Sequence, residues 1–370
     1  MKLAQSLAHS SSRVEDRFWE SRLFSIVDRL IAGSDDETLN AALDNLNKSD
    51  PQACDALAEL IEFRCESRPE GASSERDVLL FAAPLLAWSR FAIPSGPIAA
   101  SVMANLRVHL AAHIFATDVR FGLVDVLYSP DQLPQSFSET AQLTGKLIKA
   151  TLHGRDLHID PAKLAETASF LSDTRYLLGL AVVEKDAAIF RWQEIESDHS
   201  TALTSWKSQG AEAMRPLLPA CASETLLPMA YHAACHEAER ESRPYSIRAS
   251  IAFLSTVVNL TAAQLATVIA PFQENHVEEF RVGFIEKSTG NVVHGVVWPL
   301  MDAEDLHDTP VRIEAVLREC GITDVRVIDH VFPLEYCDDC GVPLYPNGDD
   351  EAVHAELPEN DSTQAPQHLH

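Results

Sequence analysis

The chain has 370 residues, 46% hydrophobic and 23% charged, a composition that excludes a disordered chain and is long enough for two domains. Twenty-nine basic residues against 55 acidic ones leave a formal charge of −26, which argues against a general binder of nucleic acid or of anionic membrane surfaces. No apolar run approaches the roughly 18 residues of a membrane helix, and the start MKLAQSLAHSSS lacks the apolar stretch of a secretory signal, so a cytoplasmic protein is expected.

Only 14 glycines are present, which favours helix, and the first 170 or so residues are predicted to be consecutive helices. Ser12-Arg13-Val14-Glu15 has the form of a capping box, and Trp19, Leu23, Ile26, Val27, Leu30 and Ile31 follow at helical spacing up to Gly33. Asp50-Pro51 opens another helix whose stripe is Leu57, Leu60, Ile61 and Phe63. Further helices are expected around 75–90, 97–116, 137–152 and 161–170, separated by breaks such as Ile93-Pro94-Ser95-Gly96-Pro97. Connections this short imply antiparallel helical hairpins.

Near residue 175 the pattern changes. Tyr176–Val183 is an apolar run, Glu184-Lys185-Asp186 breaks it, and Ala187–Trp192 resumes strand character, which predicts a hairpin. The device returns in Phe280–Ile285, a polar turn at 286–291, and Val292–Trp298. Each hairpin is followed by a predicted helix (199–214 and 309–320) and a strand-like stretch (225–227 and 325–332), with helices 230–241 and 246–259 between. The expected fold is therefore α+β: an all-helical region over 1–172, an α+β region over 173–335 built from tandem ββαβ-like halves, and a tail over 336–370.

That tail is acidic. No Lys or Arg occurs from Val327 onward, and residues 357–370 have the composition of disorder. It also holds the two closely spaced cysteines of the seven, Cys337 and Cys340, the others being Cys54, Cys65, Cys221, Cys235 and Cys320. An odd count in a reducing compartment points to metal or redox chemistry rather than a disulfide framework. In Cys337-Asp338-Asp339-Cys340-Gly341 both sulfurs can turn to one point while the glycine lets the chain bend, which is the logic of a zinc knuckle. Two more ligands are required, and His354, His368 and His370 lie downstream, His354 at finger-like spacing. The intervening aspartates are expected to raise the thiol pKa, which disfavours a thioredoxin-like pair, and a divalent cation would reverse that penalty. Two cysteines with no metal between them are the bland alternative.

Two other constellations carry candidate chemistry. On the predicted helix 230–241, His232, Cys235, His236 and Glu239 stand at i, i+3, i+4 and i+7 and share a face that could hold a metal or pair a carboxylate with an imidazole, although a polar solvated face explains the same pattern. His109 and His113 continue the stripe of Val102 and Leu106 and are expected to point inward as core histidines. No phosphate-binding loop, dinucleotide fingerprint or nucleophile elbow occurs.

Ser12-Arg13-Val14-Glu15-Asp16-Arg17-Phe18-Trp19-Glu20, Ile93-Pro94-Ser95-Gly96, Phe190-Arg191-Trp192-Gln193, Arg281-Val282-Gly283-Phe284 and Cys337-Asp338-Asp339-Cys340-Gly341 resemble, in order, a bacterial domain-of-unknown-function family, number 2863. The resemblance implies a bacterial, soluble protein in which the knuckle-like tail is part of the design; it supplies no activity and no site residue. The expectation is an interaction or regulatory module that binds a protein partner and carries a structural Zn²⁺ at Cys337, Cys340 and His354, His368 or His370. The alternative is a metal-dependent enzyme that uses the His232/Cys235/His236/Glu239 face.

Overall fold

A computed structural model describes residues 1–67, 75–194, 198–301 and 304–358. Four helices come first: α1 (Lys2–Ala8), α2 (Arg13–Ala32), α3 (Asp36–Ser49) and α4 (Pro51–Glu66). The starts of α2, α3 and α4 are set by side chains, since the Ser12, Asp35 and Asp50 oxygens accept the amides of Glu15, Thr38 and Ala53. The Glu15 carboxylate completes only part of the expected box, because it takes the amide and hydroxyl of Ser11 instead of the Ser12 amide. Leu23, Val27, Ile31, Leu39, Leu46, Leu57 and Ile61 close a bundle core, while Phe63 is left exposed.

The expected helix over 75–90 is a strand, β1 (Arg76–Trp88), and a further strand, β3 (Arg120–Tyr128), lies in the stretch read as consecutive helices. The physical reason is visible in β1. Phe81, Ala83, Leu85 and Ala87 face one core and Val78, Leu80, Ala82 and Leu86 the opposite one, so both faces are apolar and no helical stripe exists. Pro84 is tolerated in this central strand because it falls between the residues paired with β5 (Ala222–Thr225) and those paired with β6 (Met229–Ala230). With β2 (Gly96–Pro97) and β4 (Ser172–Glu184) they form a sheet in the order β2-β3-β4-β1-β5, with β6 also beside β1.

Two expectations fail next to β4. The hairpin 176–183/187–192 does not form, because β1 and β3 already occupy both edges of β4. Residues 187–193 instead turn away, with Phe190 bridged to Phe115 and stacked on Trp192. The helix expected over 161–170 is one turn (Pro161–Lys163). Beyond it Ala165, Thr167 and Ala168 are taken by Gln132, Ser129 and Asp131, whose hydrogen bonds replace those of a helix.

Helices cover both faces of this sheet. On one side lie α5 (Ala100–His113) and the α7 (His199–Ser205), π-turn (Trp206–Gly210) and α8 (Ala211–Met214) series, with Trp206 buried and donating to the Leu226 carbonyl. On the other lie α6 (Phe137–Leu152) and α9 (Tyr231–Thr256). The two helices expected over 230–241 and 246–259 are this single α9, which runs through Pro244. Arg243 Nε reaches the Arg240 carbonyl that the proline leaves without its amide.

A second sheet follows the order β10-β7-β8-β9, from β7 (Leu265–Gln273), β8 (Val277–Glu286), β9 (Val292–Pro299) and the parallel β10 (Val325–Val327), with β11 (Phe332–Pro333) also on β7. The β8–β9 hairpin and α10 (Asp308–Glu319) lie where expected. Since the first hairpin is absent, only this half has the hairpin-helix-strand order, and no tandem duplication results. The last half of α9 and α10 cover one face, through Ile251, Phe253, Leu254, Ile313 and Leu317. The whole is α+β with a helical N-terminal region.

Candidate metal centre

The second face of the second sheet is sealed by the chain after β10. Val268, Ala270, Phe272, Ile285 and Val292 of the sheet pack against Ile328, Phe332 and Tyr345. The seat for Tyr345 is made by two glycines paired across β8 and β9, Gly283 and Gly295. A Cβ on Gly295 would meet the Tyr345 ring at 2.2 Å, and one on Gly283 would meet the Pro346 carbonyl at 2.2 Å. Arg281, fully buried between the rings of Phe272 and Tyr336, donates to the carbonyls of Glu335 and Leu344, which bracket the cysteines.

The cysteine loop is closed locally. Tyr336 bridges Pro343, the Cys337 amide donates to the Val342 carbonyl at 2.8 Å, and the Gly341 amide donates to the Cys337 carbonyl at 2.8 Å. Gly341 supplies the left-handed bend with φ +73°. A two-stranded ribbon, β12 (Tyr345–Pro346) and β13 (Ala352–Val353), is then turned by Asn347, whose Oδ1 accepts the amides of Asp349 and Glu351. This ribbon returns His354 to the cysteines. Its Nε2 stands 3.2 Å from Cys340 Sγ, and one donor atom from each of Cys337, Cys340 and His354 lies within 4.8 Å of the others.

The thiol of Cys337 is held below its usual range, foremost by the backbone amides of Cys340 and Asp339 and then by the Cys340 side chain. Asp339 opposes this, as anticipated from the sequence, but the amides outweigh it. Amides directed at sulfur are what a knuckle provides to a thiolate ligand, and two sulfurs with one imidazole suit Zn²⁺. His368 and His370 lie outside the described residues.

The α9 face does not converge. His232 Nδ1 and His236 Nε2 turn to Glu62 of α4, at 4.0 and 3.7 Å, with His236 largely exposed. Cys235 and Glu239 instead line a cleft of about 380 Å³ with Tyr176 and Asp173. Burial pushes the Cys235 thiol up to about 12, so it is a poor nucleophile and a poor ligand. Among the described residues these four form no metal-holding group. His109 and His113 are half-buried with ring centroids 5.7 Å apart, less inward than expected, and likewise belong to no such group.

Sequence reasoning missed Glu62 and Glu66. The Glu66 carboxylate accepts the amide of His232 at the start of α9 from 166 positions away. Burial raises its pKa to about 7. No local signal marks either residue.

No described helix is long and apolar enough to cross a membrane. No curated protein and no solved structure matches the chain. The model of the family described as proteins of unknown function, DUF2863, matches residues 1–368, and the chain belongs to that family.

Proposed function

We propose that the chain is a non-enzymatic interaction module whose C-terminal segment is clamped onto the second sheet by one structural Zn²⁺ held by Cys337, Cys340 and His354. The observation that carries this reading is the convergence of two sulfurs and one imidazole within 4.8 Å on the segment that seals the second sheet. His368 or His370 completes the tetrahedron in this reading, and a cytoplasmic, reducing setting keeps the thiolates free to bind. The clamp is structural because its ligands stand at the surface, at the end of a segment whose interior side is already filled by Tyr345. The enzyme alternative loses its support once the α9 residues divide between Glu62 and a separate cleft.

Elemental analysis of the purified full chain tests it. About one zinc per chain is expected, with loss of that zinc and faster hydrogen exchange over 335–355 in Cys337→Ser. A purified chain that carries no zinc yet keeps residues 335–355 protected, with the same protection after added zinc or in Cys337→Ser, would overturn the clamp.

A further inference from the structure

Beside α10 the surface opens into a groove of about 520 Å³, lined on its apolar side by Val277, Phe280, Leu306, Val311 and Val327. Leu306, Val311 and Val327 are large apolar side chains left exposed, Val311 to 64%. Through Val277 and Leu306 the groove continues into a second arm of about 600 Å³ that reaches Glu278 and Glu304. Among the described residues no lysine or arginine lines either arm, whereas carboxylates stand along both. Two of these are already neutralised, Glu304 by Arg243 and Arg312, and Glu314 by Arg318 at 2.6 Å. Glu278 and Asp329, one in each arm, make no ion pair with any described residue.

We infer that this groove docks a segment of a basic partner protein in which apolar side chains are bracketed by Lys or Arg. The apolar floor supplies affinity by burial, and the two uncompensated carboxylates select positively charged flanks. The field of a chain with formal charge −26 steers such a segment and repels an acidic one. The inference rests on the reading of the chain as an interaction module, and not on the metal, since none of Cys337, Cys340 and His354 is among the described residues that line the groove.

The test uses the full chain and a fluorescein-labelled synthetic peptide, an amphipathic helix of leucine and lysine, followed by anisotropy. Two controls accompany it: one with serine in place of leucine, the other with glutamate in place of lysine. Saturable binding of the leucine–lysine peptide is expected, with neither control binding comparably. Val311→Asp, at an exposed helix position that leaves the fold intact, should weaken it about tenfold or more. Asp329→Lys should weaken it severalfold and flatten its salt dependence, whereas Asp44→Lys on α3 should not. Equal binding of the serine–lysine control, or no change in Val311→Asp, would reduce the effect to attraction by a polyanion and overturn the proposal. Zinc measured on the same samples separates the two readings: a zinc-loaded chain that ignores the peptide removes only the groove, and a metal-free chain that binds it removes only the clamp.

Discussion

Glu66 ends one helix and caps another. As the last residue of α4 its carboxylate sits beside that helix's unpaired carbonyls, an unfavourable place, and it is held there by the amides at the start of α9. Burial is the larger effect and raises its pKa from 4.5 to about 7, helped by Glu62 and opposed by the amides of His232 and Tyr231. Between those two values the folded chain holds a proton that the unfolded chain releases, so stability falls as pH rises through the window. The full penalty, on the order of 3 kcal/mol, is present above pH 7. His232 acts oppositely: burial, then His236, lowers it from 6.5 to about 4, which costs stability as pH falls through that range. Glu66→Gln keeps the acceptor and removes the charge. Its melting temperature should exceed that of the parent by a few degrees (~) at pH 8 and match it near pH 4. A difference independent of pH in paired melting curves would show that Glu66 titrates as an ordinary surface carboxylate. Cys337, Cys340 and His354 were legible beforehand because two spacings place them, whereas Glu62 and Glu66 were not, since their partners belong to α9, far along the chain.

At the level of elements, the amphipathic ones were readable and the two-faced ones were not. The helices α2, α4, α6 and α10 each bury one stripe, so period located them, with cap signals added for α2 and α4. A strand buried on both faces, such as β1, has no polar face to betray its period, and its length of 13 residues suits a helix as well. The hairpin rule succeeded for β8–β9 and failed for β4, because pairing depends on which edges are already taken. The glycine pair across β8 and β9 shows the same dependence, since its purpose appears only with Tyr345 seated on it. Gly295→Ala places a methyl group against the Tyr345 ring. It should destabilise the chain by about 1–3 kcal/mol and speed hydrogen exchange over 335–355, with α1–α4 unaffected. Unchanged exchange in that segment would mean that Tyr345 is not seated there in solution.

Across the molecule, α9 ties the parts together. Its first half packs on the first sheet, its second half on the second, and Arg243 joins it to Glu304 and the Pro299 carbonyl at the end of β9. A formal charge of −26 acts against this compact arrangement through self-repulsion that salt screens over a Debye length of about 10 Å at 0.1 M. The melting temperature should therefore rise as sodium chloride is increased from about 20 to about 200 mM. A fall over that range would show that the ion pairs outweigh the net repulsion.

The sequence by itself determined the α+β class, the helical start, the acidic balance and the pair of sulfurs with an imidazole at finger-like spacing. These depend on composition, on periodicity within one element, or on neighbours a few positions apart. Tertiary structure alone decided that β1 and β3 are strands, that α9 serves both sheets, that His232 and His236 part company with Cys235 and Glu239, and that the C-terminal segment seals a sheet. Each of these is a matter of which distant surface is left for an apolar face or an unpaired edge to cover, and that is set only when the whole chain packs.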